Sequence, residues 1–188
     1  MTGSAEGHAY QRAGEVGDRG GAATEVTIRG PDRHADRPVN TEMIAPAGAW
    51  RPVAADRQVS LRLETAPSPD VLAQPGAVEQ VLDNLIANAV EVAPAGSVVV
   101  LRSQRAGDSV ELHVIDQGPG MAPQQREHAF DRFWRATASD HDGFRLGLTI
   151  VQRLVAATGG SVELRSAPGG GLDAVVLLPV AHVVRVDA

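Results

Sequence analysis

Two side-chain amides stand four residues apart in the stretch EQVLDNLIANAVEVAP, residues 79–94: Asn84 and Asn88. At 100° per residue, Val78, Val81, Leu82, Leu85, Ile86 and Ala89 fall in one arc, which is a core face. Asn84, Asn88 and Glu91 form a narrow stripe beside that arc. An amide carbonyl at the rim of a buried face is a good ligand for a hard cation such as Mg²⁺. The same amides could equally cap neighbouring loops by hydrogen bonds. A second chemical signal follows in VELHVIDQGPGM, residues 110–121. Val110, Leu112 and Val114 alternate along a strand, and Asp116 shares their parity, so its carboxylate points to the side that the helices cover. Gly118 and Gly120 come next at DxGxG spacing, which lets the backbone turn sharply and admits a flat ligand. A buried carboxylate needs a donor, and an exocyclic amine is one. An aspartate opening an ordinary turn fits this spacing as well.

Two further segments carry weaker signals. FDRFWR, residues 130–135, concentrates Phe130, Phe133 and Trp134 in a chain with only six aromatics, which reads as a small hydrophobic cluster under a long loop. GFRLGLTIV, from residue 143, runs from a glycine-bearing loop directly into a helix, and the free N–H groups at a helix start bind phosphates.

These groups need elements to hold them. QVSLRLE (58–64), SVVVLRS (97–103), SVELHVID (109–116), SVELRS (161–166) and LDAVVLLP (172–179) read as strands. Gly107 and the APGGG run (167–171) mark hairpin turns. Residues 76–92 are the clearest helix, ended by Pro94 and Gly96. LGLTIVQRLVAAT (146–158) is a second long helix, stopped by Gly159 and Gly160, and a short helix is expected near 123–130. TEMIAPAGAWRPVAADR (41–57) is helix-like but interrupted by Pro46, Gly48 and Pro52. Residues 1–38, with seven glycines and few large apolar side chains, are expected to stay unordered around a weak strand signal, EVTIRG (25–30). Residues 39–180 are expected to form one domain and 181–188 a fraying tail. Mixed helices and strands with hairpins argue for an α+β sheet covered on one face by helices.

Composition removes several classes. All 17 basic residues are arginine, so neither a Walker A loop nor a protein-kinase fold has its lysine. The net charge is −6 with no basic cluster, which argues against nucleic acid. There is no cysteine, hence no disulfide framework or thiolate metal site. No apolar run reaches membrane-spanning length and the N-terminus has no apolar signal core, so a cytoplasmic chain without membrane contact is expected, although a parent protein could be anchored.

Taken together and in this order, four segments resemble the ATP-binding catalytic domain of bacterial sensor histidine kinases, in the gyrase/chaperone/kinase/mismatch-repair superfamily. LDNLIANA resembles its N box, DQGPGM its first glycine box, FDRFWR its F box and GFRLGL its second glycine box. The resemblance implies a Bergerat-type two-layer α/β sandwich: a mixed sheet of about five strands, three helices on one face, and an ATP lid over residues 121–143. It implies ATP and Mg²⁺ as ligands. By position, Asn88 would coordinate Mg²⁺ with Asn84 assisting, and Asp116 would accept from the adenine amino group. Gly118 and Gly120 would make room for the ring, and Phe130 and Phe133 would anchor the lid. Gly143, Gly147 and a helix start at Leu146–Leu148 would meet the phosphates. Arg145, standing where the family usually has glycine, could add a cation there.

Asn84 occupies the position where the gyrase and chaperone branch has a water-activating glutamate. An amide is a poor general base, so slow hydrolysis and phosphoryl transfer to a protein side chain are expected. None of His8, His34, His113, His128 or His141 stands in a phosphoacceptor motif, and no dimerising helical hairpin is visible. The expected partner is therefore a histidine-bearing dimerisation or phosphotransfer domain, with a response regulator downstream. Two alternatives share the fold: a nucleotide-dependent regulatory module with little catalysis, and an anti-sigma-type serine kinase.

Overall fold

The computed structural model describes residues 35–67, 69–131 and 144–181. Their elements are β1 (Ala35–Pro38), α1 (Val39–Asp56), β2 (Ser60–Thr65), β3 (Asp70–Ala73), α2 (Ala77–Val92), β4 (Val98–Ala106), β5 (Ser109–Ile115), α3 (Pro123–His128), α4 (Phe144–Ala157), β6 (Ser161–Ser166) and β7 (Leu172–Pro179).

Five strands form one mixed sheet in the order β2-β4-β5-β7-β6. β2 runs parallel to β4, and the other neighbours are antiparallel. Strand alternation sorts the two faces. Leu101 lies opposite Val114, Val114 opposite Ala174, and Ala174 opposite Leu164. These residues join Val99, Val110, Leu112, Val176 and Leu178 in one buried apolar layer. α1 packs over β2 and β4, α2 over β4 and β5, and α4 over β6 and β7. The opposite face carries charges that pair with one another, including Arg62 and Arg102 on Glu64. Fold class and strand count are therefore those expected: a two-layer α+β sandwich with helices on one side.

The arc read from α2 is buried throughout. Leu82 and Ile86 are fully enclosed, and each such side chain contributes about 1.5–3 kcal/mol. Gly76 opens α2 with φ +77°, a conformation that costs glycine little, and Pro94 follows its end.

Three features differ from the sequence reading. α1 is continuous through Pro46 and Pro52. Met43, Ala47 and Ala54 lie on its buried side at helical spacing, with Trp50 partly buried against the same core. That packing outweighs the hydrogen bonds the prolines remove. Second, β1 forms within the segment expected to be unordered and pairs antiparallel with β3. Third, β3 itself was not expected; Val71 and Ala73 are buried and Val71 bridges to Val180. EVTIRG and most of the two terminal segments lie outside the described residues. Among the described residues, no helix is long and apolar enough to cross a membrane.

Candidate functional site

The C-terminal end of β5 delivers Asp116 beneath α2, on the helix-covered side of the sheet. Asp116 and Asn88 line one cleft, open to solvent at its mouth. Its α2 wall is Leu85, Ala89 and Val92. Its floor is Val114, Leu164, Leu172 and Ala174, and Pro119–Met121 and Leu148 close the sides. The interior is thus aliphatic around one carboxylate and one amide, the pattern of a site for a flat, largely apolar ligand with a polar edge.

Asp116 is 4% exposed. Its Oδ1 accepts from the backbone N–H of Gly118 (2.7 Å) and of Leu172 (3.2 Å). Oδ2 makes no such bond among the described residues, which leaves it available to an incoming donor. Burial pushes the Asp116 carboxyl above its ordinary range; the two N–H donors pull it back, and the nearby Asp173 charge adds to the rise.

Glycines shape the walls. A Cβ on Gly118 would meet Val92 Cγ2 at 2.8 Å. At Gly120, φ is +69° and a Cβ would meet the Gly171 carbonyl oxygen at 2.9 Å. Gly171, with φ +88°, lies directly against the Asp116 carbonyl. The DxGxG spacing and a glycine 51 positions beyond Gly120 thus solve one packing problem.

The amide pair sits at the other end. Asn84 Nδ2 donates to the Gln80 carbonyl at 2.7 Å, which fixes its amide and turns Oδ1 away from that bond. Asn88 Nδ2 is buried with no hydrogen-bond partner among the described residues. A buried orphan of this kind calls for a partner. Rotation of the amide would put its oxygen there instead, so the position suits a cation ligand. Gly147 of α4 faces both amides: a Cβ there would come within 3.2 Å of Asn84 Oδ1 and 3.5 Å of Asn88. Among the described residues, no three His, Asp or Glu side chains converge as a metal site. Asp83 faces away, accepting from Trp50 Nε1 at 2.9 Å and tying α2 to α1.

The remaining expected site residues divide as follows. Phe130 packs partly buried against the core, and its carbonyl accepts from Thr149 Oγ1 at 3.4 Å. Phe133 and Gly143 lie outside the described residues. Arg145 and Leu146 have helical backbone in α4. The helix begins at Phe144, not at Leu146–Leu148 as expected. Leu148 lies beyond the first described turn and contributes a side chain to the cleft, not a helix-end donor. Helical backbone at 145 also means that arginine is unstrained there. Sequence reasoning missed Gly171 and Leu172, and read Met121 only as the end of the first glycine box and the start of the lid. The Gly169–Gly171 run was visible, but only as a hairpin turn.

The family described as histidine kinase-, DNA gyrase B-, and HSP90-like ATPase matches residues 73–182. The sensor protein KdpD of Rathayibacter rathayi is 39% identical over 146 residues, covering 77% of this chain and 17% of that protein. This chain thus spans less than a fifth of that relative's length. Among solved structures, full-length ShkA in complex with AMPPNP superposes with a TM-score of 0.70 at 30% identity, covering 87% of this chain and 33% of that one. The mycobacterial sensor histidine kinase MprB gives a TM-score of 0.70 at 26% identity, covering 78% of this chain and 98% of that one. With a family match over more than half its length, this chain belongs to the histidine kinase-, DNA gyrase B-, and HSP90-like ATPases, and its fold is that of the ATP-binding domain of sensor histidine kinases.

Proposed function

We propose that residues 39–180 are the Mg-ATP-binding catalytic domain of a two-component sensor histidine kinase. The observation that carries this reading is the shared cleft: Asp116 at its floor and Asn88 at its rim. Asp116 Oδ2 accepts the adenine amino group, which selects adenine over guanine. Gly118 and Gly120 leave room for the ring. Asn88, with Asn84 beside it, would hold Mg²⁺ through amide oxygen. Gly147 lets the first turn of α4 approach the same place, where free N–H groups meet phosphate. Phe130, packed partly buried against the core, suits the anchor of a lid that follows the first glycine box.

When bound, ATP supplies the phosphoryl group and magnesium neutralises part of its charge. The chain's own residues then act by position. Asn84 takes no proton at neutral pH, so water is not activated beside the phosphates. The acceptor is a histidine on a dimerisation domain: a ring nitrogen forms the new bond to phosphorus as the bridging oxygen departs with ADP. A response regulator would take the phosphoryl group next, and the domain would work in the cytoplasm. The sensor kinases among the relatives favour this reading over a regulatory module or a serine kinase.

Calorimetry with Mg-ATP tests the site. Wild type should bind and Asn88→Ala should lose the magnesium-dependent part of the affinity. Incubation with labelled ATP and a purified histidine-hairpin domain should yield an acid-labile phosphohistidine. An acid-stable product, or no nucleotide binding by wild type, would overturn the proposal.

A further inference from the structure

Arg126 lies on α3, within the expected lid segment but outside the four sequence boxes, and is half-buried. Its Nη1 donates to two acceptors: the Met121 carbonyl at 2.9 Å and Ser166 Oγ at 2.6 Å. No carboxylate pairs with it among the described residues, so its bonds are positional. The two acceptors belong to different walls. Met121 follows the turn at Gly120 and lines the cleft. Ser166 ends β6 and stands opposite Leu172 in register. Leu172 also lines the cleft and donates its N–H to Asp116. Just beyond, Ala167 N–H donates to the Gly171 carbonyl, closing the hairpin that carries Leu172. One guanidinium therefore fastens the loop after Gly120 to the strand pair that orients Asp116.

We infer that Arg126 is a positioning residue for the base end of the cleft: it seats Met121 over the ring by holding the Met121 carbonyl while anchored on Ser166. This rests on the nucleotide reading above. Both bonds leave the one Nη1 nitrogen, so a lysine ammonium that reaches this place keeps part of the contact. Hydrogen bonds from a charged donor are stronger than neutral ones, so their loss should be measurable in ligand affinity.

The test compares adenosine with Mg-ATP by calorimetry, alongside thermal melting, in wild type, Arg126→Leu, Arg126→Lys and Ser166→Ala. Seating of the ring predicts that Arg126→Leu weakens both ligands alike, by about tenfold. Arg126→Lys should recover part of that loss, Ser166→Ala should show a smaller drop of the same kind, and melting should change little. Unchanged adenosine affinity in both Arg126→Leu and Ser166→Ala would overturn the inference. So would a loss confined to Mg-ATP, which would mark a charge effect at the phosphates. If Arg126→Leu fails to fold, Ser166→Ala decides, since it removes only the anchor. Failure of wild type to bind adenosine would remove the nucleotide reading itself, whereas normal wild-type binding with indifferent variants would remove only the role of Arg126.

Discussion

Asp116 and Leu172 exchange two hydrogen bonds across the ends of β5 and β7. The Asp116 N–H donates to the Leu172 carbonyl at 2.9 Å, and the Leu172 N–H donates to Asp116 Oδ1 at 3.2 Å. The backbone thus fixes the plane of a carboxylate whose second oxygen accepts no hydrogen bond among the described residues. That is preorganisation: the acceptor need not be ordered when a ligand arrives.

Replacing Asp116 by asparagine should keep the shape and lose the charged acceptor. A hydrogen bond to a charged group is worth about 1.5–3 kcal/mol, so adenosine and Mg-ATP affinity should fall by about 10- to 100-fold. Equilibrium binding at pH 7.5 measures it. Undiminished affinity would mean that the ring does not meet this residue.

The same substitution should have the opposite effect on stability. Burial raises the Asp116 pKa above its ordinary 3.8, so the folded protein holds this proton more tightly than the unfolded chain. The resulting stabilisation is complete below the ordinary value and is lost as pH rises through the folded one. At neutral pH the ionised carboxylate therefore destabilises the fold, and Asp116→Asn should melt higher than wild type. Its advantage should shrink as pH falls toward 3.8. Parallel melting curves down to acid pH would contradict this. A site that gives up stability for an ionised acceptor is a familiar trade.

Gly147→Ala probes the seam between α4 and the amide pair. Alanine in place of a helical glycine gains at most about 0.5–1 kcal/mol, and less in a first turn such as this one. Here the new methyl would come within 3.2 Å of Asn84 Oδ1, whose amide is held by its bond to the Gln80 carbonyl. The two effects should nearly cancel in melting temperature. Displaced amides should nevertheless weaken Mg-ATP by about tenfold while sparing metal-free adenosine. Equal losses for both ligands would place the damage at the ring and not at the metal end.

Much of this arrangement was legible in the sequence because it is local and periodic. The buried arc of α2 follows from its 3.6-residue repeat, and the inward aim of Asp116 follows from its parity with Val110, Leu112 and Val114. What was not legible depends on contacts distant in sequence. Nothing near Asp116 indicates that a donor 56 residues away completes its environment. α1 carries two prolines that locally argue against a helix, and only packing of Met43, Ala47 and Ala54 overrides them. β1 and β3 are four residues each, too short for alternation to show.

Gly171 and Gly169 make a matched pair for separating backbone strain from crowding. Both have positive φ, +88° and +86°. A side chain at either pays the left-handed penalty, about 1–2 kcal/mol. At Gly169 nothing else lies within 4 Å, so Gly169→Ala should cost about that much and leave binding intact. At Gly171 the methyl would be driven into the Asp116 carbonyl and approach Oδ1 at 3.0 Å. The hairpin must then move away from β5, breaking the exchange between Asp116 and Leu172. Gly171→Ala should cost about 3 kcal/mol or more in chemical denaturation and abolish nucleotide binding under conditions where Gly169→Ala still binds. Equal costs at the two positions would show that the hairpin yields freely, and that the carboxylate does not depend on it.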